Sequence, residues 1–452
     1  MDLIQSSNKA AIQINDEVYS FNDLKLRVKD CQKKFFKQND CCYVLKSSKT
    51  IDFIEKFLAL WNMEVPIVIV SSHWTDKENS LRLQQIGSFY SFNEQNEIIF
   101  NQSNVRNPIN NQTKVILFTS GSTSIPQGVQ LSKKNIHANI AAVIKALNFN
   151  TVNEQLLFLS LSYSFGLFGQ LLPGLVCQLK TKLLNSLVEL KIQFDEGLAH
   201  GMISGVPSHF ETLIQMLAGS EPCLSISHIA SAGAYLNPQQ RIRINKLFPK
   251  AIIYNNYGQT EASPRILCFN STHESFYTEA TGYVVGNLQT KIDKDNVLLV
   301  KGDQIMLGYL NDEIQTKKKI RNGWLYTGDV AKIEKDGLIT IIGRNDDMIK
   351  IGGERIFPSE IEDEIVAISE IVEAGIIPIQ DTLYGNAIQC AIVLKNDANL
   401  SLKDLKEKLS LSLSKNKIPS AFFKVKSLPK NNNGKLLRKE IPELIKFGER
   451  ID

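Results

Sequence analysis

The chain has 452 residues, 43% of them hydrophobic and 22% charged, with a formal net charge of +4. That length exceeds what one hydrophobic core supports, so two or three domains are expected, and so small a charge does not call for a nucleic-acid partner. Apolar runs such as residues 65–70 and 371–379 are too short or too interrupted to span a bilayer, and the start Met1-Asp2-Leu3-Ile4-Gln5 lacks the basic residues and long apolar run of a secretory signal, so a cytoplasmic protein without a membrane span is expected.

Short β-branched runs alternate with longer amphipathic segments, as in α/β architectures. Helices are predicted over residues 22–36 and 50–61, followed by a strand over 67–70. The apolar run 115–118 ends at a Ser/Thr/Gly loop, and Ser132 is placed to cap a helix over 133–147. The loop is therefore expected between a strand and a helix, a geometry that presents backbone N–H groups to phosphate. Strands are predicted at 156–161, 202–206, 228–230 and 252–255, with a helix over 238–247. From about Glu279, strand pieces at 297–301, 332–334 and 338–342, separated by Gly and Asp, mark a small β subdomain. After Gly343-Arg344-Asn345-Asp346-Asp347 the pattern becomes compact α+β: strands at 348–351, 371–378 and 388–393, helices over 359–368 and 402–413. The predicted fold is α/β, with a large N-terminal domain of βα-layered subdomains plus the small β subdomain over residues 1–343, and a small α+β domain over 344–452.

Seven cysteines include no Cys-x-x-Cys pair, and the six histidines are scattered, which argues for indifferent thiols and against a zinc site. Residues 401–452 carry 13 Lys/Arg against 6 Asp/Glu, a local balance of +7. Two readings stand for that excess: a solvated helical face, or a basic lid that meets polyphosphate.

Four motifs carry the chemistry. Thr119-Ser120-Gly121-Ser122-Thr123 offers backbone donors, hydroxyls and a Gly that admits close approach, and it continues into Pro126-Gln127-Gly128-Val129. Tyr257-Gly258-Gln259-Thr260-Glu261 joins an aromatic face, a hydroxyl and a carboxylate. Tyr326-Thr327-Gly328-Asp329 presents a carboxylate, and Asn431-Asn432-Asn433-Gly434-Lys435 sets one cation at the end of a turn-rich arm.

In this order the four motifs resemble the adenylate-forming superfamily, which includes acyl-CoA synthetases, aryl-acid ligases, peptide-synthetase adenylation domains and beetle luciferases; the pattern is nearest the AMP-forming acyl-CoA ligases. The resemblance is specific from Thr119 onward and diffuse before it, where the region is short and the match is confined to Tyr19-Ser20-Phe21-Asn22-Asp23-Leu24. It implies ATP and Mg²⁺ as cofactors, a small-molecule carboxylic acid as substrate, and CoA or a carrier protein's phosphopantetheine as thiol acceptor.

Carried onto this chain, the resemblance places ATP phosphates on Thr119, Ser120, Gly121, Ser122 and Thr123. Adenine would lie against the turn Ser231-Ala232-Gly233-Ala234-Tyr235-Leu236, with Gly233, Ala234 and Tyr235 in contact, and against Asn256, Tyr257, Gly258 and Gln259. Thr260 would meet the α-phosphate and Glu261 would hold Mg²⁺, a hard cation that prefers carboxylate oxygen. Asp329 would accept the ribose hydroxyls and Arg344 contact ribose or phosphate. The C-terminal domain would be mobile, swivelling about Asp346. In one state Lys435 would bridge the acid and the α-phosphate; in the other Gly352 and Gly353 would line a pantetheine tunnel. Beside the acid, Leu159-Ser160-Leu161-Ser162-Tyr163-Ser164-Phe165-Gly166 resembles the family's pocket stretch, with Tyr163 either gating it or sitting in the core; Ser204, His209 and Gly258 would add to the wall. Amino-acid-activating relatives carry aspartate at the place of Gly166, so an acid lacking an α-ammonium is expected.

Two residues depart from the family loop. Ser124 stands at a usual glycine and Gln127 at a usual lysine, and losing one charge-assisted phosphate contact costs about 1.5–3 kcal/mol. The stretch Ile351-Gly352-Gly353-Glu354-Arg355-Ile356-Phe357-Pro358-Ser359-Glu360-Ile361-Glu362 closely follows the family's pantetheine-tunnel loop, a match that favours a thioester product, and no insertion of the kind found in fatty-acyl-AMP ligases is visible before the last domain. The alternatives are an enzyme that stops at the adenylate or loads a carrier protein, and a nucleotide-binding pseudoenzyme serving as scaffold.

Overall fold

The computed structural model describes residues 2–36, 41–103, 108–119, 126–351, 354–381, 385–395, 398, 400–430 and 436–451. The fold is α/β, with a large N-terminal and a small C-terminal part, and the chain divides into two compact units. Unit 1 comprises Met1–Leu236, Gln240–Lys291 and Leu299–Thr327; unit 2 comprises Asn237–Gln239, Ile292–Leu298 and Gly328–Asp452. This division differs from the expected junction at 343/344, since residues 328–343 go with unit 2.

Unit 1 holds two large sheets. The nine-stranded sheet runs Tyr283–Val284, Leu267–Asn270, Ile252–Tyr257, Ile226–Ser231, Gly201–Gly205, Glu154–Leu157, Lys180–Leu183, Ala10–Ile14, Glu17–Ser20. Its strands from Ile252–Tyr257 to Ala10–Ile14 are parallel, and the edges are antiparallel. The seven-stranded sheet runs Gly308–Tyr309, Gln127–Ser132, Thr113–Thr119, Ile67–Ser71, Cys42–Ser47, Phe89–Phe92, Ile98–Asn101. Its inner strands Ile67–Ser71 and Thr113–Thr119 are apolar on both faces and buried almost throughout, as strands covered on both sides must be.

Local chemistry sets the helices. Thr50 caps Ile51–Asn62 by accepting from the Phe53 N–H, and Ser132 with Asn135 forms a capping box at the start of Lys133–Ala146. The first helix covers Phe21–Gln32, shorter than predicted, and the strand expected at 156–161 is Glu154–Leu157, because the chain turns away after Leu157 toward the site. A larger correction concerns the Ser/Thr/Gly loop. It does not lead from strand to helix: Gln127–Ser132 is itself a strand, antiparallel to Thr113–Thr119 with Thr119 facing Gln127. The alternating Val129 and Leu131, both fully buried, pack there as sheet residues.

A five-stranded sheet contains Gln289–Ile292, Val297–Lys301, Trp324–Ile333, Ile320–Arg321 and Ile339–Arg344. The rest of unit 2 is α+β. Ile371–Asp381 and Gly385–Leu394 form an antiparallel pair extended by Ala421–Lys424 and Glu449–Ile451. Ile361 and Ile365 of the helix Pro358–Val366 pack with Ile376, Ile388, Ile392 and Phe422 in its core. No helix among the described residues is long and apolar enough to cross a membrane.

Candidate functional site

In unit 1 the candidate residues gather at the carboxyl ends of adjacent parallel strands, where open α/β sheets bind ligands. Gly201–Gly205 ends at Ser204 and Gly205, Ile226–Ser231 leads into Gly233, Ala234 and Tyr235, and Ile252–Tyr257 leads into Gly258–Glu261. Register fixes this convergence: Gly205 stands beside Ser231, and Ser231 beside Asn255. Gly233 has φ +88°, a left-handed conformation that glycine tolerates. Ser204 Oγ, Ser231 Oγ and Asn256 Oδ1 are buried and have no hydrogen-bond partner among the described residues. Asn256 Nδ2 donates to the Ser231 carbonyl at 3.1 Å. Three unfilled acceptors or hydroxyls at one sheet edge fit a ligand rich in hydrogen-bonding groups, such as a nucleobase and its sugar.

Gly258 is dictated by the turn itself. A β-carbon there would stand 1.6 Å from the Pro264 carbonyl oxygen, so no other residue fits without moving backbone. Thr260 opens the short 3₁₀ turn Thr260–Ala262, and its hydroxyl lies 3.1 Å from that of Ser164. Glu261 receives a 2.7 Å hydrogen bond from the Tyr309 hydroxyl on Oε1. No group of three His, Cys, Asp or Glu side chains able to hold a metal occurs among the described residues, so a metal at Glu261 would draw its remaining oxygens from phosphate and water.

The acid-pocket candidates surround the same edge. Tyr163 is half-buried, and burial raises its pKa. The Arg82 guanidinium lies over the Trp74 ring at 3.7 Å. His209 accepts from the Val206 N–H through Nδ1 at 3.3 Å and meets Phe158 edge-on at 5.2 Å. Burial, with a smaller push from Lys49, lowers the His209 pKa to about 4, so it is neutral at pH 7. Lys49 donates to the carbonyls of Phe158, Leu184 (2.7 Å) and Asn185 (3.3 Å), joining the segment before Ile51–Asn62 to the ends of two strands of the other sheet. A β-carbon on Gly166 would come within 2.3 Å of the Ser160 carbonyl oxygen, so the aspartate of amino-acid-activating relatives has no room there.

In unit 2, Asp329 and Arg344 are cross-strand partners, with Nη1 to Oδ1 at 3.2 Å and Arg344 Nη2 3.6 Å from Asp346 Oδ2. Gly328, at φ +83°, leaves room for the Arg344 guanidinium, which would lie 3.0 Å from a β-carbon. Ser120, Gly121, Ser122, Thr123, Ser124, Gly352, Gly353 and Lys435 lie outside the described residues. The chain on either side of 431–435 is fixed: Lys430 pairs with Leu436 across an antiparallel bridge, Lys430 Nζ is 2.5 Å from Glu373, and Arg438 forms a two-pronged pair with Glu362 while donating to the Ile376 carbonyl at 2.8 Å.

Ser164 stood in the sequence only as one letter of the pocket stretch 159–166, and Tyr309 and Lys49 were not marked as site residues. Their partners are 96, 48 and 109 residues away, and no local pattern names those partners.

The family model described as AMP-binding enzyme matches residues 7–310, and that described as AMP-binding enzyme C-terminal domain matches residues 360–435. A 2-succinylbenzoate–CoA ligase of Bacillus mycoides (strain KBAB4) is 28% identical over 352 residues, covering 74% of this chain and 70% of the relative. The 4-coumarate–CoA ligase CCL1 of Humulus lupulus is 29% identical over 353 residues, 71% and 63%. The o-succinylbenzoate CoA synthetase of Bacillus subtilis, solved with its acyl-adenylate intermediate, shares the fold at TM-score 0.82 and 22% identity over 96% of this chain and 95% of its own. Its complex with ATP and magnesium ion superposes equally well, at TM-score 0.82 and 22% identity over 96% and 97%.

Proposed function

The chain belongs to the AMP-binding enzyme family, and on that premise we propose that it is an ATP- and magnesium-dependent acid–thiol ligase. The carboxylate of an acid attacks the α-phosphorus of ATP, pyrophosphate leaves, and a thiol then displaces AMP from the acyl adenylate to give a thioester. CoA is the proposed acceptor, in keeping with the CoA ligases it resembles; a phosphopantetheine carrier is the alternative.

The supporting observation is the convergence of Thr260 and Glu261 with the unpartnered atoms Ser204 Oγ, Ser231 Oγ and Asn256 Oδ1 at one carboxyl edge. Thr260, with its rotamer steadied by Ser164, binds the α-phosphate oxygen, and Glu261, oriented by Tyr309, holds Mg²⁺. Bound there, magnesium would withdraw charge from the phosphates. Lys435 is the proposed cation that neutralises the charge growing between carboxylate and α-phosphate; Asp329 with Arg344 takes the ribose, and Asp346 is the proposed hinge. With no room for a side chain at Gly166, no carboxylate stands there to pair an α-ammonium, which disfavours α-amino acids, and relatives named for 2-succinylbenzoate and 4-coumarate make an aryl or aliphatic carboxylic acid the favoured class.

Acid-dependent exchange of pyrophosphate into ATP, abolished by Lys435→Ala, is the expected result. ATP binding without exchange for any acid in a broad panel would instead favour the scaffold reading raised by Ser124 and Gln127. AMP release that requires CoA rather than a carrier protein identifies the acceptor.

A further inference from the structure

Two arginines of unit 1 are almost fully buried, Arg241 at 0% exposure and Arg265 at 1%, and they are treated very differently. Arg241 donates to four backbone carbonyls: Leu236 at 2.9 Å, Phe276, Thr278 at 3.0 Å and Ala280 at 3.0 Å. Arg265 has no such set. Its Nε and Nη2 are buried without a hydrogen-bond partner among the described residues, and its ionisable neighbour is the Cys268 thiol, itself pushed up to about 12 by burial and therefore neutral. A buried cation whose Nε and Nη2 lack an acceptor is costly to hold.

The main chain at Arg265 is nevertheless anchored. Its N–H donates to Asn139 Oδ1 at 3.0 Å, and Asn139 Nδ2 donates to the Phe168 carbonyl at 3.2 Å. The guanidinium lies over the Phe165 ring at 5.3 Å, and Nη2 sits 3.3 Å from where a β-carbon of Gly169 would be. Phe165 and Gly169 belong to the segment whose Ser164 touches Thr260. The guanidinium thus lies against Phe165 of the stretch assigned to the acid, with Nη2 toward Gly169 just beyond it, four residues past Glu261.

We propose that Arg265 receives a second anionic group of the substrate acid, distal to the reacting carboxyl, so that the enzyme activates dicarboxylic acids or acids of like charge. The planar guanidinium offers parallel N–H donors that match a carboxylate, and binding supplies the counter-charge that the free protein lacks. This rests on the ligase reading above.

The test uses the full chain, matched pairs of aliphatic and aryl mono- and diacids, and the variants Arg265→Met and Arg265→Lys. For at least one pair, kcat/KM for pyrophosphate exchange is expected to favour the diacid at least tenfold in the wild type, to lose that preference in Arg265→Met and to keep part of it in Arg265→Lys. Thermal unfolding gives a readout independent of turnover: the preferred diacid raises the Tm of the wild type and not of Arg265→Met, while without acid Arg265→Met melts no lower than wild type. Exchange whose mono- against diacid preference is unchanged by either variant overturns the proposal and leaves the ligase reading standing. Stabilisation by chloride or nitrate with no acid selectivity assigns Arg265 to a free anion and also overturns it. Diacid-dependent stabilisation through Arg265 with no exchange for any acid keeps the binding assignment and sinks the ligase reading alone.

Discussion

The hydroxyls of Ser164 and Thr260, 3.1 Å apart, tie the loop after Glu154–Leu157 to the turn after Ile252–Tyr257. Thr260 is the member that faces the phosphate in the proposed chemistry, and Ser164, at 6% exposure, holds its rotamer. Thr260→Ala should lower kcat/KM for acid-dependent pyrophosphate exchange about 100-fold, the usual cost of one transition-state donor. Ser164→Ala forfeits one neutral hydrogen bond of about 1 kcal/mol, roughly fivefold. Equal losses in the two variants would contradict this ordering.

Tyr309 donates to Glu261 at 2.7 Å and fixes which way that carboxylate points. Groups that orient a metal ligand are typically worth about 10–100-fold in metal affinity. Tyr309→Phe should therefore raise the magnesium concentration for half-maximal exchange about tenfold, with maximal rate at saturating magnesium largely kept. A magnesium titration reads this directly.

Gln127 Nε2 lies 3.5 Å from Asp312 Oδ2, and Asp312 also caps the helix Glu313–Lys319 through the Gln315 N–H. A lysine restored at 127 meets that carboxylate before it meets phosphate. Gln127→Lys alone should change the KM for ATP less than about threefold, whereas adding Asp312→Asn, which preserves a capping side chain, should lower it about tenfold. A tenfold gain from the single variant would show that Asp312 does not compete.

His209 carries the clearest pH signature. Burial, then Lys49, depresses its folded pKa to about 4 from an unfolded value near 6.5. Between those values the unfolded chain binds the proton and the folded chain does not, so stability is full above about pH 6.5 and is lost as pH falls toward 4. His209→Gln should flatten that part of a Tm-against-pH curve relative to wild type. An unaltered slope would place the acid sensitivity elsewhere.

Arg438 grips Glu362 and the Ile376 carbonyl three residues past Lys435. Arg438→Met strands a partly buried carboxylate and should destabilise the protein by about 3–5 kcal/mol in chemical denaturation. Because the same contact anchors the chain leading from Lys435, exchange should fall more than thiol-dependent AMP release from preformed acyl adenylate.

The legible parts of this fold were those with local grammar. The apolar run behind the helix expected over 50–61 and Ser132 before 133–147 announce helices; the Ser132 cap is present, and Thr50 proves to be the cap of its helix rather than its first residue. Gln127–Ser132 was not legible, because Pro126, Gln127 and Gly128 read as loop and the alternation of Val129 and Leu131 becomes a strand only beside Thr113–Thr119. Thr260 and Glu261 in unit 1, and Asp329 and Arg344 in unit 2, are readable as letters of motifs. Their partners are not: that Arg344 binds Asp329 across a strand pair, or that Tyr309 serves Glu261, depends on register and on packing between distant segments. Arg265 offered a weak cue, a charge heading the apolar run Ile266–Phe269, whose meaning needs the burial and the missing partners.

Lys49 grips main-chain oxygens at 158, 184 and 185, and no side chain. Such a fastening is blind to the identity of the residues it holds. Side-chain exchanges at Phe158, Leu184 or Asn185 that keep the main chain in place therefore leave the seam between the two large sheets closed.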